Sequence, residues 1–109
     1  MPADYSAINT TKSGFLQIIP TGNNVIVLPR NVNRRGLYIR NVSNQAAAGG
    51  NATALVFLSF NINQVCVPWQ AKLLEPGELY NNNWLDMYLG PVTIAVLDGP
   101  AAVLIEESE

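Results

Sequence analysis

Turn-forming residues interrupt this chain so often that short strands are the regular structure it favours. The apolar runs between them are short and rich in Val, Ile, Leu and aromatic residues, and helical periodicity is absent. We predict strands at residues 15–19, 24–28, 36–42, 53–60, 64–67, 78–81, 92–97 and 101–107, with less distinct candidates at 71–74 and 84–89. About eight short strands at regular spacing predict an all-β fold, a single antiparallel β-sandwich or jelly roll.

Turn motifs separate the predicted strands: "PTGNN" at 20–24, "EPGE" at 75–78 and "DGP" at 98–100. Proline fixes φ, and glycine permits positive φ where the chain reverses. The "EPGE" motif fits a type II turn with Pro76 and Gly77 at its centre. The segment 43–52, "SNQAAAGGNA", lacks apolar periodicity and contains adjacent glycines, so we expect a long mobile loop there.

The length of 109 residues suits one domain. We place a β-sandwich domain at 15–109 and an extended N-terminal arm at 1–14. The arm is polar, and we expect it to reach a neighbouring subunit through contacts such as Tyr5 and Ile8. The first residues carry no apolar signal segment, and no window approaches the apolar length of a membrane span, so neither secretion nor membrane association is predicted.

Charged residues are scarce for a small soluble domain. They make up 13% of the chain, and hydrophobic residues make up 49%, whereas an ordinary soluble domain is about 25% charged. This shortage favours subunit contacts, because a monomer with so little charge would expose wide neutral and apolar areas. The alternative is a surface covered by Asn, Thr, Ser and Gln. The net charge of −2 argues against a general binder of nucleic acid.

Arginines cluster around the strand predicted at 36–42. The strand period places Leu37 and Ile39 on one face and Tyr38, Arg40 and Val42 on the other, so Arg40 should point away from the core. Arg34 and Arg35 directly precede the strand, and Arg30 lies close before them. We expect these three arginines to form structural salt bridges or subunit contacts. Their expected partners are the glutamates at the C-terminal end, Glu106, Glu107 and Glu109. A grip on single-stranded nucleic acid is disfavoured, because only Tyr38 supplies an exposed aromatic ring nearby.

The residue types needed for most catalytic chemistry are missing. The chain has no histidine, which removes the commonest general base and transition-metal ligand. The single cysteine, Cys66, lies in an apolar run and is interpreted as a buried, inert thiol. Glycoside hydrolysis remains an open alternative, because it needs only a pair of carboxylates. Glu75 with Glu78, or Asp86 with Asp98, could form such a pair. We predict no catalytic residue, no metal site and no cofactor.

Carbohydrate binding is the stronger alternative function. Aromatic and amide side chains of the kind that a sugar site uses occur together in the second half of the chain: Trp69, Tyr80, Asn81, Asn82, Asn83, Trp84 and Tyr88. The competing interpretation makes Trp69, Trp84 and Tyr88 core residues or subunit anchors.

Four stretches resemble small bacteriophage virion proteins of the β-sandwich or jelly-roll type. They are "PRNVNRRGLYIRNVSN", "VFLSFN", "LEPGELY" and "GPVTIAVLDGPAAVLIEE", and the resemblance covers residues 28 to 107. In such proteins a strand of the form R-R-x-L-x-I-x-N is followed by an x-P-G-E/G-x-Y turn. Arg34 and Arg35 match the basic pair, and Pro76, Gly77 and Glu78 match the turn; the resemblance implies architectural roles for them.

The resemblance implies a structural role in a virion. Relatives of this kind serve as head decoration or cement proteins, and also as parts of tails and fibres. We therefore expect a non-enzymatic decoration protein on the capsid surface, whose partner is the major capsid protein. The low charge and the N-terminal arm add the expectation that it is a homo-oligomer, a trimer. The alternative is a carbohydrate-binding or adhesive module of a tail or fibre.

Overall fold

Strands dominate the computed structural model, which describes residues 12–60, 71–83 and 88–109. Within these ranges the strands are β1 (Lys12–Ile19), β2 (Gly22–Leu28), β3 (Gly36–Asn41), β4 (Leu55–Ser59), β5 (Lys72–Leu74), β6 (Leu79–Asn83), β7 (Val92–Leu97) and β8 (Ala101–Ser108). The only helical segment in the described part is a single 3-10 turn at Ala46–Ala48. The prediction of an all-β fold is confirmed.

Two strand predictions meet the limits of the description. The strand predicted at 64–67 lies outside the described residues, as do residues 84–87 of the less distinct strand at 84–89, and residues 88 and 89 are not in a strand. The first strand begins at Lys12, inside the range predicted for the arm. The remainder of that arm, including Tyr5 and Ile8, lies outside the described residues.

The strands pair in a nested order that defines the topology. All pairs are antiparallel: β1 pairs with β8, β2 with β7, β3 with β6, and β4 with β5. Such nesting is what one long antiparallel ribbon gives when it is rolled up. Rolling brings β3 against β8 and β4 against β7. The result is two four-stranded sheets, sheet I with the order β1-β8-β3-β6 and sheet II with the order β2-β7-β4-β5, which is a jelly roll.

The core lies between the two sheets. Alternate residues of the central strands point inward, and the cluster they form is almost free of solvent exposure: Leu37, Ile39, Val56, Leu58, Val92, Ile94, Val96, Ala101, Val103 and Ile105. Burial of each large member contributes about 1.5–3 kcal/mol relative to leaving it exposed. The predicted inward face of β3, Leu37 with Ile39, is confirmed by its alternating burial.

One buried asparagine links the two sheets. The Nδ2 group of Asn41 donates hydrogen bonds of 2.9 Å to the carbonyl oxygens of Ala54 and Leu74, and its Oδ1 accepts one from the Ser43 backbone N–H. Asn41 ends β3 in sheet I, whereas Ala54 directly precedes β4 and Leu74 ends β5, which are both strands of sheet II. The side chain therefore satisfies backbone groups at the point where the sheets meet.

The "EPGE" motif forms the turn that its sequence predicts. Gly77 has a φ of 94°, and the backbone N–H of Glu78 donates to the carbonyl of Glu75 over 2.9 Å. These are the positive φ and the closing hydrogen bond of a type II turn. The Glu78 carboxylate also accepts a 2.8 Å hydrogen bond from the Glu75 N–H. The turn places the start of β6 beside the end of β3, because the Gly77 N–H donates to the carbonyl of Asn41.

The loop predicted at 43–52 is fixed at both ends. Ser43 Oγ accepts a 2.9 Å hydrogen bond from the Ala102 N–H. At the other end, Asn51 donates from its backbone to Pro100 and from its side chain to Asp98, both over 2.7 Å. The loop thus packs against the connection between β7 and β8. Among the described residues, no helix has the length and hydropathy needed to cross a membrane.

Candidate interaction surfaces

A buried arginine holds the loop 29–35 between β2 and β3. The Arg34 side chain is fully buried, and its Nε donates to Glu107 Oε2 over 2.7 Å. Nη1 donates to the carbonyls of Tyr88 and Gly90, at 2.8 and 3.0 Å, and Nη2 donates to the carbonyl of Pro29 at 3.0 Å. The planar guanidinium fork is suited to such a set of acceptors, which compensates for the loss of its hydration.

The role of Arg34 is therefore internal. The prediction that a C-terminal glutamate pairs with it is confirmed by Glu107. The prediction of Arg34 as a contact for another chain was wrong, because the residue is only 3% exposed and its donors are directed at the same protomer. Sequence reasoning located the partner but missed the burial, since the carbonyl acceptors come from segments distant in sequence.

Three further hydrogen bonds tie the same loop to the end of β8 and to residue 89. The backbone N–H of Asn31 donates to Leu89 over 2.8 Å, and its Nδ2 donates to Glu109 Oε2 over 2.7 Å. The N–H of Arg35 donates to the carbonyl of Ser108 over 2.7 Å. The loop backbone is thus held from several sides.

The fixed loop presents two arginines and one valine to solvent. Arg30 and Arg35 are exposed, and Val32 is 59% exposed. We call these three residues the loop surface. Arg30 and Arg35, which the sequence suggested as contacts for another chain, thus have exposed side chains. Because hydrogen bonds already hold the loop backbone, binding of a partner would cost little conformational entropy there.

The two tyrosines proposed for sugar binding are partly buried and pack against the core. The rings of Tyr80 and Tyr88 lie 4.8 and 5.7 Å from the ring of Phe60, and both pack against the buried cluster. Tyr88 OH donates to the carbonyl of Pro91 over 2.9 Å. Burial raises the Tyr88 pKa above its usual value of 10.0, and the nearby Arg34 guanidinium opposes this. Of the two roles left open for Tyr88, core residue or subunit anchor, its packing supports the first, and its role as a contact for another chain stays a prediction. Trp69 and Trp84 lie outside the described residues.

The edge strand β1 exposes large apolar side chains. Phe15, Leu16 and Ile18 are 40%, 49% and 46% exposed, and β1 is one of the two outer strands of sheet I among the described residues. Exposed apolar edge strands favour association with another chain. The sequence marks 15–19 as a strand but carries no signal that it lies at an edge, so this surface was missed.

A pocket with a mixed polar and apolar lining lies on the outer face of sheet I. Glu106, Tyr38 and Asn81 are aligned across β8, β3 and β6 as Cα partners. Together with Gly36, Leu37 and Ser108 they line a pocket of about 330 Å³. We call it the Tyr38 pocket. Its aromatic residue is the one ring that the sequence placed on the outward side of β3.

Arg40 occupies the next position along that outer face. It is partly buried, with Leu104 and Leu79 as its Cα partners on the neighbouring strands, so the prediction that it points away from the core is confirmed. Val42 was predicted to share this exposure and does not, since it is only 6% exposed. Val42 follows the end of β3, where its N–H donates to the carbonyl of Ala102.

The acidic residues that the structure describes do not gather into a metal site. Among the described residues, no group of three or more Cys, Asp or Glu side chains is arranged to hold a metal ion. Glu75 and Glu78 close the turn described above, and Asp86 lies outside the described residues.

Comparison of the chain with protein-family models, curated proteins and solved structures gave no match in any of the three.

Proposed function

We propose that this chain is a non-enzymatic structural protein of a bacteriophage virion, which decorates the capsid exterior as a homo-oligomer and strengthens contacts between major capsid subunits. The proposal starts from the resemblance of residues 28 to 107 to small phage virion proteins. The structural observation that carries it is the apolar edge of sheet I, in which Phe15, Leu16 and Ile18 are exposed.

The occupant of this edge is a second copy of the chain. Leu16, Leu104, Arg40 and Leu79 form one cross-strand row through successive Cα partners, and Leu16 and Leu79 stand at its opposite ends. Leu79 is 46% exposed. Apolar side chains therefore mark both edges of sheet I at the same level, so β1 of one copy is complementary to β6 of the next.

The strand directions are compatible with such a contact. Sheet I has four strands, and every neighbouring pair is antiparallel. An even number of alternating strands leaves β6 and β1 opposed, so joining β6 of one copy to β1 of another continues the antiparallel pattern. Contacts between two different edges build rings when the rotation closes. A ring of three copies agrees with the trimer expected from the sequence.

The loop surface supplies the contact to the capsid. Arg30 and Arg35 suit carboxylates through their planar guanidinium groups, and Val32 adds an apolar contact. The distance between the two surfaces can be read along β8. Arg35 is hydrogen-bonded to Ser108, and Ile18 is the Cα partner of Ala102. Ser108 and Ala102 are six residues apart, which corresponds to about 20 Å of strand. The capsid contact and much of the self-contact thus lie toward opposite ends of sheet I.

Stabilisation of the particle would follow from mass action. A partner that binds the assembled lattice but not its free subunits lowers the free energy of the lattice by RT ln(1 + [L]/Kd) per site. Linking the copies in a ring raises the effective concentration of each further contact.

Co-sedimentation with particles assembled from the major capsid protein of the source phage tests the capsid contact. We expect the chain to bind at a fixed ratio to the capsid subunit, and the double variant Arg30→Glu/Arg35→Glu to lose binding while its thermal unfolding is unchanged. A matched control is Lys72→Glu, which reverses an exposed charge on β5 of sheet II. Equal occupancy by all three proteins would exclude the loop surface, and no binding by the native chain would exclude the function.

A further inference from the structure

The Tyr38 pocket has the composition of a small-ligand site and is not used by the function proposed above. Its six lining residues are Gly36, Leu37, Tyr38, Asn81, Glu106 and Ser108. The volume of about 330 Å³ lies at the small end of the range for ligand pockets. It would hold a ligand the size of a mono- or disaccharide.

The strand register explains why these side chains converge. Tyr38 is the Cα partner of Glu106 on one side and of Asn81 on the other. Residues directly opposite each other in adjacent strands have Cβ atoms about 4.5–5.5 Å apart. A phenol ring is therefore flanked by a carboxylate and an amide on one face of a rigid sheet.

Glycine admits the Ser108 hydroxyl to this face of the sheet. Gly36 is two residues before Tyr38 on the same strand face, and it is the Cα partner of Ser108. A Cβ at Gly36 would collide with Ser108 Oγ, so the serine hydroxyl occupies the place that a larger residue would fill. The φ of Gly36 is not in the left-handed region that requires glycine. A glycine in a strand often marks a place where another group approaches closely.

A second glycine accommodates the acidic wall. Gly14 is the Cα partner of Glu106, and a Cβ at Gly14 would lie 3.1 Å from Glu106 Cγ. The contact is tight, so the glycine provides the room into which the Glu106 side chain leans. The two glycines thus make room for two β8 side chains that line the pocket, Glu106 beside Gly14 and Ser108 beside Gly36.

The chemical groups match a sugar ring. Tyrosine presents a flat apolar face with a polar tip, suited to the C–H face of a pyranose. Asparagine both donates and accepts, a carboxylate accepts from two neighbouring hydroxyls, and serine does either. Glu106 is the one charged residue among the six that line the pocket, so an acidic sugar would place two like charges side by side there.

We propose that the Tyr38 pocket binds a neutral sugar ring, stacked on Tyr38 and hydrogen-bonded by Asn81, Glu106 and Ser108. This is a different site from the tryptophan-centred one predicted from the sequence, although Asn81 belongs to both. It is independent of the virion role, since a decoration protein could carry it or lack it.

NMR titration of the full chain with neutral mono- and disaccharides of glucose, galactose, mannose and N-acetylglucosamine tests the site. We expect at least one sugar to shift the backbone signals of residues 36–38, 81 and 106–108. Tyr38→Ala should weaken binding by up to about tenfold, given an aromatic contact of up to about 1.5 kcal/mol. Tyr38→Phe, which keeps the ring, should stay within about threefold of the native chain.

Asn81→Ala provides a second test if Tyr38→Ala fails to fold. Asn81 is exposed on the edge strand β6, so its truncation should leave thermal unfolding unchanged and reduce sugar affinity. The proposal is overturned if no neutral sugar shifts these signals, if only sialic or uronic acids bind, or if binding is unaffected by both alanine variants.

Discussion

Arg34 Nε and Glu107 Oε2 lie 2.7 Å apart, and the Arg34 side chain has no solvent exposure. This ion pair joins the loop before β3 to the C-terminal end of strand β8. Three carbonyl oxygens accept the other hydrogen bonds of the guanidinium group. It therefore fixes the loop that presents Arg30, Val32 and Arg35.

Replacing Arg34 by alanine should lower the free energy of unfolding by about 3–5 kcal/mol, because it leaves Glu107 and three buried or partly buried carbonyl groups without their donor. Urea denaturation followed by fluorescence measures this loss. Arg35→Ala is the matched control, since Arg35 is exposed, and its effect should stay within about 0.5 kcal/mol. Losses of similar size in the two variants would contradict the internal role of Arg34.

Stability should fall in alkali through Tyr88. Its pKa in the fold is raised above the ordinary value of 10.0, chiefly by burial. The unfolded chain therefore releases this proton first, so the stabilisation is complete below pH 10 and is lost as pH rises through the folded pKa.

Tyr88→Phe should remove the part of the alkaline decrease in the free energy of unfolding that comes from Tyr88. It should also cost about 0.5–1.5 kcal/mol at neutral pH, because the hydrogen bond to Pro91 is lost. Urea unfolding at a series of pH values from 7 to 11 measures both effects. An unchanged alkaline slope in the variant would show that Tyr88 does not cause it.

Asn41 should be one of the costliest polar positions to change. Asn41→Ala leaves the carbonyls of Ala54 and Leu74 without their side-chain donor, and each unsatisfied buried group costs about 1–3 kcal/mol. We expect a loss of at least about 2 kcal/mol in denaturation experiments. Asn44→Ala, at an exposed position nearby, should be nearly neutral, and an equal effect at both positions would argue against the link between the sheets.

Two glycines should respond differently to alanine. Gly77 has a φ of 94°, so Gly77→Ala should cost about 1–2 kcal/mol through strain in the turn. Gly22 has no atom within 4 Å of an added Cβ and no positive φ, so Gly22→Ala should change stability by less than about 0.5 kcal/mol. Thermal unfolding of the pair checks this, and similar melting temperatures would contradict the type II geometry.

Local features of the fold could be predicted from the sequence because they depend on neighbouring residues. The period of two placed Leu37 and Ile39 inward, and Pro76 with Gly77 specified a turn by their own backbone preferences. The nested pairing of the strands could not be predicted, since it depends on contacts between residues as distant as Lys12 and Ser108.

The candidate surfaces were predicted less well for the same reason. Arg34 was identified as an ion-pairing residue, but its burial depends on carbonyls from Tyr88 and Gly90, which lie far along the chain. Tyr38 was correctly placed on the outer side of β3. Its pocket became visible only when the register brought Asn81 and Glu106 to its sides.

Light scattering of the purified chain tests the proposed ring of copies most directly. We predict a mass three times the 11.8 kDa of one chain, and reduction to the monomer both in Leu16→Ser/Ile18→Ser and in Leu79→Ser, because the contact joins two different edges. All three positions are about half exposed, so these variants should remain folded. A native chain that is monomeric over the same concentration range would contradict the proposal, and a native dimer insensitive to Leu79→Ser would replace the ring by a symmetric contact between two β1 strands.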